Sequence, residues 1–175
     1  MTVTLLEKLK SILQREVCDK IELRESDDDN EGYRVVNPSC FIGWIPPDNQ
    51  MMQFGESLQK QKSIPCLVVG MEKAVDVGEH EEVDIKLNFA VYSPGEVDQS
   101  GVLNVNFEGY VSLLNFIDKT KAFLIKDSFN LDCMIINSEI ESGVFEEQAY
   151  PIWLGYMKFK VRRNAYPKID KQKYL

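Results

Sequence analysis

The sequence predicts an α+β fold: an antiparallel or mixed β-sheet with a long hairpin, an N-terminal helix, and one long central helix packed on the sheet. Three observations lead there. Residues 64–92 hold two long strand patterns in succession. Helical periodicity is confined to residues 2–17 and 105–125, far apart in the chain. The other patterned stretches alternate with a period of two, and local strand runs with few separate helices pair into a sheet that gathers its helices on one face. With 175 residues, 44% apolar and 27% charged, the chain can bury a single well-packed core. Residues 1–163 read as one domain and 164–175 as a basic tail.

In the first helix Leu5, Leu6, Leu9, Ile12, Leu13 and Val17 recur at three- and four-residue steps, with Thr2 or Thr4 available as a cap. Its polar positions mix Glu7 with Lys8, Lys10 and Arg15, which suits packing on a sheet better than lying on a membrane. Residues 21–24 suggest a short strand. Residues 25–32 carry five carboxylates, but Asp27-Asp28-Asp29 is contiguous and no glycine sits mid-loop, so a solvated loop is expected rather than a calcium site. Residues 33–36 resume a strand pattern. Phe41, Ile42, Trp44 and Ile45 predict a short buried strand that Pro46-Pro47 must end. Residues 48–62 turn polar, with Met51, Met52 and Phe54 as apolar punctuation, and read as a loop with room for a short helix at 56–60.

Residues 64–71 form an almost unbroken apolar run. Residues 84–92 alternate, with Ile85, Leu87, Phe89 and Val91 on one face and Lys86, Asn88, Ala90 and Tyr92 on the other. With Leu67 and Val69, the first set should form the core beneath the central helix. The connection at 75–82 holds Gly78, one Asp and three Glu, which suits a solvated hairpin tip. Residues 93–101 are turn chemistry. In the central helix Tyr110, Val111, Leu114, Ile117 and Lys121 trace one stripe, and Leu113, Phe116, Phe123 and Leu124 widen it. So broad an arc predicts a second cover, from the N-terminal helix or a neighbouring subunit. Residues 129–141 read as a strand turned at Ser142-Gly143. The last strand, 150–163, places Trp153, Met157, Phe159 and Val161 on one face and Leu154, Tyr156, Lys158, Lys160 and Arg162 on the other.

The chemistry classes thin out quickly. A net charge of -8 opposes tight nucleic-acid binding, although it would suit a protein that DNA merely passes. No apolar run approaches the ~20 residues of a membrane span, and the charged N-terminus lacks a signal-peptide cleavage pattern. A chain handled in the cytoplasm is therefore expected. Cys18, Cys40, Cys66 and Cys133 are scattered without a CxxC pair, so buried thiols are expected, not zinc or disulfides. The single histidine, His80, stands in the acidic run Glu79-His80-Glu81-Glu82, where an exposed surface residue is the expectation. No nucleotide-binding, hydrolase-elbow or zincin motif occurs. The expectation is a protein without catalysis, cofactor or metal, with a small cytoplasmic enzyme as the remote alternative.

Five blocks then stand in a telling order: Gly43-Trp44-Ile45-Pro46-Pro47; Ile64-Pro65-Cys66-Leu67-Val68-Val69; Val91-Tyr92-Ser93-Pro94-Gly95; the helix from Gly109-Tyr110 through Leu113-Leu114-Asn115 and Ile117-Asp118 to Lys121 and Leu124; and the run from Glu146-Glu147-Gln148-Ala149-Tyr150-Pro151 to Val161. Together they resemble the tail terminator (tail-completion) proteins of long-tailed phages and of prophage-derived or bacteriocin tail-like particles, over roughly residues 1–163. That resemblance implies a small α+β subunit in a closed ring, usually a hexamer, at the head-proximal end of a tail tube. There it would stop tube growth and offer a surface to the neck or head. The implied partners are further copies of the chain, tail tube and sheath protein, and a neck or head connector. The implied location is the virion or tail-like particle. A head-tail joining or other tube-like tail protein is the nearest alternative. A closed ring needs two complementary patches per subunit. The interface candidates are the acidic tip (Asp76, Val77, Gly78, Glu79, His80, Glu81, Glu82), with the loop Asp27 to Glu31, against the basic end strand and tail (Lys158, Lys160, Arg162, Arg163 and Lys168).

Overall fold

The computed structural model describes residues 2–26, 33–46, 62–97, 100, 102–104, 106–126 and 135–164; for residues 97, 103, 135–138, 163 and 164 the description is of the backbone. Helix α1 spans Thr2–Glu16 and buries Leu5, Leu9 and Leu13 in one line, which Val17 continues. Leu6 and Ile12 pack at its margins. Thr4 lies inside the helix, so it does not cap it. A 3-10 turn, Cys18–Lys20, closes α1. Gln14 fixes the helix to the sheet: its amide oxygen accepts the Cys40 N–H at 2.7 Å, while its NH2 group donates to Asp19 at 2.7 Å.

The main sheet has the strand order β3 (Ser39–Ile42), β4 (Cys66–Asp76), β5 (His80–Tyr92), β9 (Ile152–Asn164), β8 (Ile135–Val144). Strand β3 runs parallel to β4, and the other three pairings are antiparallel. Two further pairs, β1 (Leu23–Ser26) with β2 (Tyr33–Val36) and β6 (Glu96–Val97) with β7 (Leu103–Asn104), stand apart. Helix α1 lies against β3 and β4, and α2 (Glu108–Ile125) against β5, β9 and β8. The fold is thus α+β with a mixed sheet, as the periodicity predicts.

Both helices press on one face of the sheet. Leu67, Val69, Ile85, Leu87, Phe89 and Val91 are all buried there, as expected, with Val83, Met157, Phe159 and Val161. Each such side chain contributes about 1.5–3 kcal/mol by leaving water. Phe116 of α2 meets Phe89 edge to face, with centroids 5.1 Å apart. Glycine makes the close approach possible: a Cβ on Gly155 would lie 2.9 Å from Ile117 Cδ1, and one on Gly109 would lie 2.1 Å from Trp153 Nε1.

Several boundaries differ from the sequence reading, each for a local reason. Strand β3 ends at Ile42 because Gly43 turns the chain with φ 82°, leaving Trp44 67% exposed instead of buried. The 3-10 turn delays β1 to Leu23, and Glu25 belongs to that strand, buried beside Arg34, its cross-strand partner. The long hairpin has almost no loop. Val77 N–H donates to the His80 carbonyl at 3.0 Å, Gly78 takes φ 91°, and Asp76 Oδ1 accepts the Gly78 N–H at 2.7 Å. Glu81 and Glu82 are therefore strand residues and not part of a loop. Residues 93–101 include β6, and α2 starts at Glu108, whose N–H is accepted by Asn106 Oδ1 at 3.1 Å. Ser142 and Gly143 lie within β8; the reversal comes at residues 145–151, braced by Gln148, whose Oε1 accepts the Leu154 N–H at 2.5 Å. Strand β9 has the predicted faces, with Met157, Phe159 and Val161 buried.

The inward line of α2 is Gly109, Leu113, Phe116, Ile117, Thr120 and Leu124. Tyr110, Val111 and Leu114, predicted on the core stripe, are exposed by 40%, 52% and 36%. Strand β3 covers only Cys66 to Val69 of β4, so among the described residues β4 is a sheet edge from Gly70 to Asp76, interrupted by a bulge at Glu72. The expectations for Asp27 to Glu31, residues 48–61, Val105, Cys133 with the rest of 129–134, the Arg163 side chain, and the tail beyond Asn164 with Lys168 lie outside the described residues.

Candidate interaction surfaces

The sheet face turned away from the helices is built by alternation. Along β5 the inward set Val83, Ile85, Leu87 leaves Glu82, Asp84 and Lys86 on the other side; along β9 the same period leaves Lys158, Lys160 and Arg162 there. Register then pairs Glu82 with Arg162, Asp84 with Lys160, and Lys86 with Lys158. The last of these is a like-charge pair, which is unfavourable when directly opposed. The bulge in β4 resolves it by adding Glu72, whose carboxylate reaches Lys158 Nζ at 3.0 Å and Lys86 Nζ at 3.5 Å. Glu82 reaches Lys160 at 3.5 Å and Arg162 at 3.4 Å, and Tyr156 donates to Glu141 at 3.2 Å. Among the described residues Lys86, Lys158, Lys160 and Arg162, with Lys73 opposite Asp84, thus share this face with Glu72, Glu82, Asp84 and Glu141, so the two signs nearly balance and the face lacks the concentrated basic surface that phosphate binding needs.

This arrangement changes the predicted charge pairing. One member of the acidic set, Glu82, meets Lys160 and Arg162 of the basic set within the chain, on the neighbouring strand. Glu82 is engaged by Lys160, Arg162 and, at 3.6 Å, His80. Glu81 points to the other face, is buried, and sits in register with Arg163. Asp76, Val77, Gly78 and Glu79 remain at the exposed end of the hairpin. Glu72 escaped the sequence reading because a bulge breaks the period of two, and nothing in the residue types around Met71 announces one.

The pair Glu72–Lys158 has a pH signature. Hydrogen bonding to Lys158 holds the Glu72 carboxyl below its ordinary range, against some desolvation, and Lys86 assists. Hydrogen bonding to Glu72 in turn raises Lys158. A depressed carboxyl contributes stability above its unfolded pKa and loses it as pH falls through the folded value. A raised lysine contributes below its unfolded pKa and loses it as pH climbs through the folded value. The pair therefore supports the fold between the two limits. Lys158→Ala should move the Glu72 midpoint upward toward an ordinary carboxylate in carbon-13 NMR titration; an unmoved midpoint would show that the contact does not hold in solution.

The second surface is apolar. Phe107, Tyr110, Val111, Leu114 and Ile125 on and beside α2 are exposed, Phe107 by 80%. Helix α1 lies over β3 and β4, and so does not supply the second cover that the broad arc predicted. Tyr110 adjoins Trp153, with centroids 6.4 Å apart, and Trp153 Nε1 donates to the Ser93 carbonyl at 3.2 Å.

Other features carry less. A polar groove of about 730 Å³ between the 3-10 turn, β1 and α2 is lined by Lys20, Asn37, Ser112, Asn115 and Lys119 among others. Two of its groups are engaged: Asn37 donates to the Ile21 carbonyl at 2.8 Å, and Lys20 meets Glu16 at 2.6 Å. Cys18, Cys40 and Cys66 are free and buried. Burial, with Cys40 nearby, pushes the Cys66 thiol up to about 12, so it carries no thiolate at neutral pH. Among the described residues no group of three or more His, Cys, Asp or Glu is placed to hold a metal ion, and no helix is long and apolar enough to cross a membrane.

No protein-family model matches this chain. No curated protein matches it at a significant level.

Proposed function

We propose that the chain is a ring-forming structural subunit, hexameric, that caps the head-proximal end of a phage or phage-like tail tube, ends polymerisation, and offers the joining surface for a neck or head. The observation that carries this reading is that three of the blocks resembling tail terminators lock together at one point. Trp153, from the last block, lies over Gly109 of the helix block, and its ring N–H is held by Ser93 of the Val91–Gly95 block. Tyr150 donates to the neighbouring Pro94 carbonyl at 2.5 Å. The co-occurrence of those blocks therefore has a packing reason. The exposed apolar flank of α2 supplies the kind of surface that an assembling subunit needs.

Electron microscopy of the purified full chain, alone and mixed with polymerising tail tube protein, tests the proposal. Rings in isolation and caps on tubes of limited length are expected. A strict monomer that leaves tube length unchanged would overturn it. Rings that join tubes to heads but do not limit length would point to a head-tail joining protein instead.

A further inference from the structure

We propose that the outward face of α2 is the seat of the next copy's hairpin end, so that the ring contact is head to tail between residues 75–79 of one subunit and residues 111–126 of its neighbour. The inference rests on the ring reading above and deepens it by naming the contact. At roughly 100° per residue, Val111, Leu114, Ala122 and Ile125 share the side of α2 opposite its buried line. That side is apolar and uncovered, with Ile125 61% exposed. Lys121 stands on one flank and Lys119 and Lys126 on the other, with Asp118 between them. Three cations against one carboxylate leave the face net positive.

The hairpin end is its complement. Val75 and Val77 are 39% and 52% exposed there, beside the exposed carboxylates Asp76 and Glu79. Charge bookkeeping agrees with these partners. Glu82 and the bases of β9 neutralise one another within the chain. Asp76, Glu79, Lys119, Lys121 and Lys126 have no ion pair among the described residues. They are among the charges still available to a second molecule, and they lie on the two surfaces whose apolar residues match. Because the two surfaces differ and belong to one chain, their pairing is heterologous, the type of contact that builds a ring when the rotation between copies closes.

The experiment is a charge swap in the full chain, read by mass photometry and electron microscopy, with circular dichroism to confirm folding. Lys121→Glu with Lys126→Glu should reduce the ring fraction roughly tenfold or more at low salt, as should Asp76→Lys with Glu79→Lys, because each brings like charges together. The four substitutions combined should restore rings. Rings that persist in both double variants, or a loss that the combination does not repair, would overturn this contact while leaving the ring reading intact. A wild-type chain that forms no ring at any concentration would overturn both.

Discussion

Gly109→Ala should melt well below the parent chain and release Trp153 from its place. The new methyl carbon would sit 2.1 Å from Trp153 Nε1 and 2.3 Å from Cδ1, distances that no packed carbon occupies. The indole cannot retreat cheaply. It is tethered to the Ser93 carbonyl at 3.2 Å and bounded by Tyr110. Either the ring swings out, losing its burial and hydrogen bond, or α2 lifts from β9 and opens the core around Leu113 and Ile117. Overpacking alone costs about 1–3 kcal/mol, and loss of the tryptophan contact brings the expected total to about 3 kcal/mol or more. For a chain of this size that is a fall of roughly 6–12 °C in melting temperature. Trp44 is 67% exposed, so a Trp44→Phe background isolates the Trp153 signal. In that background the fluorescence should shift to the red. Unchanged emission and melting would mean that Trp153 does not lie over Gly109.

Phe116→Ala should be the more destructive core truncation. Its side chain is fully buried at 0% exposure and packs edge to face on Phe89, where α2 meets the sheet. Removing a buried aromatic costs about 3–5 kcal/mol, because the surrounding core only partly collapses into the space. A denaturant series measures this directly, with the midpoint moving and the slope held constant. Pairing it with Phe89→Ala in a double-mutant cycle should show coupling of about 0.5–1.5 kcal/mol for the ring contact. A cost below about 1 kcal/mol would mean that α2 is not seated where Phe116 places it.

The parts of this fold that were legible in the sequence are those set by period alone. Ile85, Leu87, Phe89 and Val91 could only face one way, and so could Met157, Phe159 and Val161, because a strand admits a single alternation. The line Leu5, Leu9, Leu13 was equally constrained. Helix α2 was less so. It carries apolar residues around most of its circumference, so periodicity could not say that Gly109 and Thr120 face inward while Tyr110 and Val111 face out. That choice was made by Trp153 and Gly155, distant residues whose shapes admit α2 in one rotation. The acidic end of the hairpin was misread as loop for a related reason. Acids suggest solvent, yet a strand can carry Glu82 when the next strand supplies Lys160 and Arg162. Cross-strand register is invisible until the sheet is assembled.

The bulge at Glu72 matters beyond the contacts it makes. From Gly70 to Asp76, past the end of β3, strand β4 has no outer neighbour among the described residues, and an uncovered run of that length is a template on which stray extended chains can add. Met71 and Val75 would make such growth favourable. An extra residue part-way along the run throws the hydrogen-bonding groups out of even spacing and twists the strand away from flatness. Lys73 adds a charge just past it. A stacking polymer needs a straight border, and this border is bent by its own sequence. The same residue that settles a like-charge clash on the sheet face thus also guards the border against runaway strand addition.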